Sequence, residues 1–254
     1  MSVLLQTTTE FDSDKQHILT VFNNNVRDVD ICVEGQNINH CGKEGHWLET
    51  KMGIKHNAKN EPDINGYEMK TGDKVTTFID KAPDTIYLNG DKLTIRNKKL
   101  KEEYWKKYAS IKESEKATIG GWRIDQFNYS GQKLCVDEKN NIYVVYDYSQ
   151  DKRENKECLL DLNKETHIIM QWNADTLKSA IENKFNQKGF FKCVKENNKF
   201  VKICFGRSIT FDFWIDQVKK GVIYHDGYSK VNGRGRHVFR AANKFWNELI
   251  TEEY

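Results

Sequence analysis

The sequence predicts a mixed α/β chain in which helices and acidic residues come early and a sheet-rich, basic segment closes it. Three observations point there. Apolar residues recur at near-helical spacing in several short windows, β-branched and aromatic runs bounded by turn residues lie between them, and no internal repeat is present. At 254 residues the chain is long enough for a sizeable core in one large domain or two lobes. With only Pro62 and Pro83, no proline-rich linker marks a boundary.

Taken in order, residues 14–26 place Ile18, Leu19, Val21, Phe22 and Val26 on one face of an amphipathic helix. A second helix is predicted over 44–52, stopped by Gly53. Gly66 leads into a short strand at 67–71. The turn-like Gly72-Asp73 joins it to a β-branched strand at 74–80, so the two form a hairpin on this reading. Residues 98–108 read as a helix. Strands follow at 122–129, 133–137 and 141–148, with turns at Ser130-Gly131 and Lys139-Asn140, then a charged loop at 151–156. A strand at 168–172 and a helix at 175–185 precede a hairpin of 190–195 with 200–205. A helix at 210–219, a strand at 222–225 and a glycine-rich basic loop lead into the closing segment.

Composition excludes several classes. Charged residues reach 30%, but aromatics at 12% are too plentiful for a disordered chain. The N-terminal stretch MSVLLQTTTEFDSDK has no basic n-region, and apolar runs such as CLLDL and HIIMQW are too short to span a bilayer. A cytoplasmic, membrane-free protein is expected. Cys32, Cys41, Cys135, Cys158, Cys193 and Cys204 form no CxxC pair, which argues against a structural zinc site and fits reduced, isolated thiols. The net charge of +3 is modest, but its distribution is not uniform. Residues 219–240 hold six Lys/Arg against Asp226 alone, and residues 92–107 hold seven against Glu102 and Glu103. Such patches attract phosphate backbones, although a solvated lysine face has the same composition.

The stretch EPDINGYEMKT carries the chemistry. Asp63 precedes the predicted strand, and Glu68 and Lys70 lie two apart on it, so they share a face while Met69 turns the other way. Phosphodiester hydrolysis needs carboxylates to hold a divalent ion and a cation to orient the attacking water or stabilise the charged phosphate. Asp63, Glu68 and the Met69 carbonyl are the candidate metal ligands, and Lys70 is the candidate assistant to the nucleophile. A bland alternative is a polar turn with a surface Glu–Lys pair. Upstream, GKEGHWLETKMGI places Glu49 on the second helix, with Gly45 one turn before it allowing close approach. Glu49 is therefore a third candidate carboxylate, for the ion or its water.

The glycine-flanked helix with Glu49, then Asp63 fourteen positions on, then E-x-K at Glu68 and Lys70, resembles the active site of the MutH-like PD-(D/E)xK endonucleases, in particular the MvaI/BcnI group. The similarity continues through TTFIDKAPD, MQWNADTLKSAIENKF and KGVIYHDGYSKVNGRGRHVFRA, in the same order, from about Gly42 to Ala241. It implies an α/β restriction-endonuclease-like fold, with a central mixed β-sheet flanked by helices and a sheet-rich DNA-recognition lobe. It implies Mg²⁺ as cofactor, with Mn²⁺ or Ca²⁺ able to substitute in binding, and water attack leaving 5′-phosphate ends. One centre per chain cuts one strand, and the resemblance implies a monomer that cuts the two strands of double-stranded DNA in sequence without an obligate protein partner, a dimer being the alternative. A short pseudo-palindrome with CC…GG ends is the target implied. The chain departs from the group where a His-Asp-His-Gly run is replaced by Arg234, Gly235, Arg236 and His237, so base preference need not be shared.

The division expected is an N-terminal and catalytic lobe over 1–165 and a DNA-recognition lobe over 166–254, packed as one unit. Arg234, Arg236 and Arg240 suit bidentate contacts to guanine or phosphate, and His225 and His237 suit base edges. Lys230 suits phosphate, and Arg96 and Lys98 are second candidates for the backbone. The reading is thus a type II restriction endonuclease. Its rivals are a strand-nicking repair endonuclease of the same fold and a non-cleaving DNA-binding module.

Overall fold

The computed structural model describes residues 12–33, 42–54, 60–71, 74–88, 91–93, 103–104, 107–111, 116–162, 166–230 and 236–254. Its helices are α1 (Ser13–Asn25), α2 (Lys43–Lys51), α3 (Ala174–Phe185), α4 (Phe211–Lys219) and α5 (Asn243–Glu248). Its strands are β1 (Glu68–Lys70), β2 (Val75–Asp80), β3 (Thr85–Leu88), β4 (Asp91–Leu93), β5 (Ser110–Ile111), β6 (Lys116–Trp122) and β7 (Ser130–Val136). They continue with β8 (Ile142–Asp151), β9 (His167–Trp172), β10 (Phe190–Glu196), β11 (Lys199–Gly206), β12 (Tyr224–Lys230), β13 (Arg236–Ala242) and β14 (Ile250–Glu253). Among the described residues these strands form three sheets, ordered β1-β10-β11-β14, β2-β13-β12-β6-β5 and β4-β3-β9-β8-β7. The mixed α/β class expected from the sequence is therefore observed, with β1 parallel to β10 and the other ladders antiparallel.

Several expectations are corrected. The first two strands do not form a hairpin: β1 pairs with β10 and β2 with β13, in different sheets. The strand expected at 122–129 lies earlier, in β6, because the glycines of KATIGGW are accommodated in the sheet, while 123–129 is irregular. The strand expected at 222–225 begins at Tyr224 and runs on to Lys230. All three sheets take strands from both sides of residue 165. Most of the helix expected at 98–108 lies outside the described residues.

The charged loop at 151–156 also differs. Asp151 and Arg153 are buried, and the Arg153 guanidinium meets Asp151 at 2.6 Å while donating to the carbonyls of Lys107 and Ala109. A 3-10 turn, Lys156–Leu162, follows.

Sheet β1-β10-β11-β14 separates two cores. On β10, Phe190 joins the larger core, which contains Phe78, Trp172, Trp214 and Trp246. Its neighbours Phe191 and Cys193 join a smaller one with Ile18, Phe22, Trp47, Leu48 and Met69, as the alternation of a strand requires. The smaller core is where α1 and α2 bury their apolar faces. Asp12 caps α1 by accepting from the amides of Asp14 and Lys15, and also accepts from the Tyr67 hydroxyl at 2.7 Å. Lys188 bridges Asp12 and Asp14. The start of α1 is thus tied to the residues that precede β1 and β10.

Two glycines let β10 enter the sheet. Gly189 has φ +97°, and a Cβ there would lie 2.4 Å from the Gly206 carbonyl oxygen. A Cβ on Gly206 would lie 2.1 Å from the Phe190 ring. Gly206→Ala is expected to cost about 1–3 kcal/mol through overpacking, measured by urea denaturation; an unchanged midpoint would show that the ring yields freely. No helix among the described residues is long and apolar enough to cross a membrane.

Candidate active site

β1 brings Glu68 and Lys70 to one face and Met69 to the other. Glu68 and Lys70 are both buried, and the Lys70 ammonium donates to Glu68 Oε1 at 2.7 Å. The rings of Phe185 and Trp246 lie 5.0 and 5.7 Å from Lys70 Nζ. An E-x-K pair on an ordinary outer strand would be solvated; here it faces the larger core. Burial pulls Lys70 below the ordinary lysine range, against the pull of Glu68.

Asp63 arrives from the turn before the strand. Its Oδ2 accepts from the Met69 amide at 2.8 Å. The Glu68 amide instead donates inward to Gly189 on the β10 side. Successive residues of a strand turn their amide and carbonyl groups to opposite edges. The Met69 carbonyl therefore faces the edge of β1 away from β10, where Asp63 sits. Asp63 keeps an exposed flank, yet burial of its carboxyl and then the charge of Glu68 raise its pKa to about 6. Lys70 and Lys184 pull in the opposite direction.

Lys184 was not singled out in the sequence. It closes α3, and its ammonium lies 3.0 Å from Glu68 Oε1. The strand pairing also sets Lys192 opposite Lys70. Lys192 is buried and donates to the side-chain oxygens of Asn243 and of Asn247, the latter at 3.1 Å. Neither lysine is near the motif in sequence. Only the last turn of an amphipathic helix and a lysine within an apolar strand hinted at them.

The residues fit a divalent ion. Among the described residues, Glu68 Oε2 is buried with no hydrogen-bond partner, the Asp63 and Glu68 carboxylates are close enough for one charge to act on the other, and the Met69 carbonyl adds a third hard oxygen. That set suits Mg²⁺ or Ca²⁺ and lacks the nitrogen and sulfur donors zinc prefers. Among the described residues, no three His, Cys, Asp or Glu side chains converge. The Glu49 carboxylate lies 3.2 Å from His46 Nδ1, although α2 does approach the end of β1, with the Cβ position of Gly45 3.6 Å from Thr71 Oγ1.

The expected DNA-reading residues divide sharply. Arg236 and Arg240 lie on one face of β13, with Arg236 57% exposed. His225 and His237 lie on the opposite, core-facing side and are buried. His225 stacks on Trp122 at 4.5 Å and contacts Trp172 and Phe239. Burial pushes it well below the ordinary histidine range, with His237 and Arg240 adding to the effect. The expectation that these two imidazoles present base-reading edges is corrected: they pack under the sheet. Lys230 closes β12. Arg96, Lys98 and Arg234 lie outside the described residues.

Comparison with known proteins agrees with this architecture. The family model described as LlaMI restriction endonuclease matches residues 27–254. The chain is 33% identical over 267 residues to the type II restriction enzyme ScrFI of Lactococcus lactis subsp. cremoris, covering 94% of this chain and 98% of that enzyme. It is similar in fold to the restriction endonuclease MvaI, seen in a complex with its cognate DNA substrate. The TM-score is 0.60 at 16% identity, and the match covers 94% of this chain and 95% of that one. A family match running from Arg27 to the C-terminus, joined to identity along nearly the whole chain, shows that this protein belongs to the LlaMI restriction endonuclease family and is a type II restriction enzyme.

Proposed function

We propose that the enzyme hydrolyses both strands of double-stranded DNA at a specific sequence, in a Mg²⁺-dependent reaction that leaves 5′-phosphate and 3′-hydroxyl ends. The observation that carries this reading is the convergence of Asp63, Glu68, Lys70 and the edge-facing Met69 carbonyl on one end of β1. Asp63, Glu68 and the Met69 carbonyl would hold the ion. When bound, the ion supplies positive charge to the phosphate and makes water acidic enough to attack. Lys70 positions that water by hydrogen bonding and faces the negative charge that develops as the phosphorus becomes five-coordinate. Lys184 keeps Glu68 oriented through its 3.0 Å contact. Glu49 enters this reading only through bridging water.

In the same reading the protein acts as a monomer in the cytoplasm, without an obligate partner, cutting the two strands in turn. Arg236 and Arg240 contact base edges, while Lys230, Arg234, Arg96 and Lys98 supply phosphate contacts. The test is digestion of DNA of known sequence with the wild-type protein. Discrete fragments with Mg²⁺ and none with EDTA are expected. Nicked circles alone would favour the strand-nicking alternative, and DNA retention without any cut would sink the nuclease assignment for this chain.

A further inference from the structure

The outer face of sheet β2-β13-β12-β6-β5 carries an arrangement of four charges that the active site does not use. Val238 of β13 is paired with Asp80 of β2 on one side and with Asp226 of β12 on the other. The three side chains therefore stand in a row on one face. Arg236 and Arg240 lie two residues before and after Val238 on that face. Each arginine leans to a different aspartate. Arg236 Nε lies 3.5 Å from Asp80 Oδ2, and Arg240 Nη1 lies 2.8 Å from Asp226 Oδ2. Beneath them Val238 is only 2% exposed. Asp80 is anchored in turn, its Oδ1 accepting from the His237 amide at 3.1 Å.

The quartet adjoins a cleft. Asp80 and Lys81 form one wall and Asp175, Ser179 and Asn183 of α3 another, with Asn60 beside them, around a volume of about 500 Å³. Asn183 precedes Lys184, which touches Glu68. Asp80 thus belongs both to the quartet and to the wall of the cleft.

We propose that Asp80 and Asp226 are specificity-positioning residues: each holds one arginine fork on the outer face of the sheet and screens it from DNA phosphates until a guanine edge replaces the pairing. The inference rests on the reading above, in which Arg236 and Arg240 contact DNA. An unpaired surface arginine binds any phosphate, which adds affinity without sequence information. A carboxylate beside it repels phosphate but tolerates the neutral acceptors O6 and N7 of guanine. Both pairs are partly solvated, with side-chain exposures of 57% and 37% for the first and 28% and 29% for the second. They are therefore loose enough to exchange for a base. The backbone anchor on Asp80 keeps its carboxylate in place when Arg236 moves. Discrimination then comes as much from the repulsion of wrong contacts as from the right one.

The test digests DNA of known sequence and sequences every fragment end, for wild type, Asp80→Asn, Asp226→Asn, Arg236→Lys and Arg240→Lys. Asparagine keeps an acceptor for the His237 amide, and lysine keeps charge while losing the fork. Asp80→Asn and Arg236→Lys are expected to admit other bases at the same guanine of the site. Asp226→Asn and Arg240→Lys should both relax a different guanine. The ratio of off-site to on-site cleavage should rise on the order of ten- to a hundred-fold for each, with retention on non-cognate DNA increased for the aspartate variants and melting temperatures kept. Wild-type ends from both aspartate variants, while the lysine variants relax, would overturn the positioning role and leave the arginine reading intact. Wild-type ends from the lysine variants would remove the arginine reading itself. If Asp80→Asn melts early, Asp80→Glu, which keeps the charge but displaces it, must still relax the Arg236 position, or the proposal fails.

Discussion

Lys70→Met is expected to lower DNA cleavage by about 100- to 1000-fold while leaving the protein folded. Methionine matches the length of the lysine stem and suits the pocket of Phe185 and Trp246, and Glu68 keeps Lys184 as a partner. The loss would therefore report the missing cation and not a collapsed site. Retained cleavage with Lys70→Met would sink the assignment of Lys70. Asp63→Asn should cost as much activity, yet it has an opposite effect on the metal-free fold. Asp63 titrates near 6 in the folded chain against an ordinary 3.8, so the folded state binds the extra proton between those values. Its ionised form opposes folding above about pH 6, and that penalty fades as pH falls towards 3.8. Asp63→Asn should thus stabilise the EDTA-treated protein at pH 7.5 by about 1 kcal/mol, allowing for solvent screening on its open flank. The gain should vanish near pH 3.8. Addition of Mg²⁺ should raise the melting temperature of wild type but not of the variant. A variant less stable than wild type in EDTA at pH 7.5 would contradict the crowding of the two carboxylates.

Arg153→Ala is expected to cost about 3–5 kcal/mol in urea denaturation, although Arg153 is remote from the candidate site in sequence. Its guanidinium is the buried counter-charge of Asp151 and holds the carbonyls of Lys107 and Ala109. Alanine would strand the carboxylate with the Tyr146 hydroxyl and the Arg153 backbone amide as its remaining partners. An exposed pair such as Lys220–Asp216 is the contrast: its removal should change little. A cost below about 1 kcal/mol for Arg153→Ala would mean that water reaches Asp151 in the folded protein.

What was legible in the sequence was local. The helices and most strands followed from apolar periodicity and from turn residues, and Asp63, Glu68 and Lys70 were marked as candidates by their spacing together with the Glu49 helix upstream and the family resemblance. Partner choice was not legible. Three residues of β1 carry too little pattern to announce a parallel partner at 190–192, so the nearer strand looked like its mate. Parity failed in a different way for the histidines. His237 and Arg236 adjoin in sequence but point to opposite faces, and with the strand read as a loop that alternation was hidden. The ion pair of Asp151 and Arg153 reads as solvent-loving in sequence; only the geometry of the β8 end shows it turned inward. Lys184 required the fold, since 116 positions of chain separate it from Glu68.

The lateness of β1's partners has a consequence during synthesis. Glu68 and Lys70 leave the ribosome long before Phe190–Lys192, which fix their strand, and before Trp246, which covers Lys70. A nascent chain that has exposed its acids and lysine still lacks the sheet that aligns them. On the reading proposed above, a chain released before Phe190 would carry the candidate acids and lysine without the strand that aligns them.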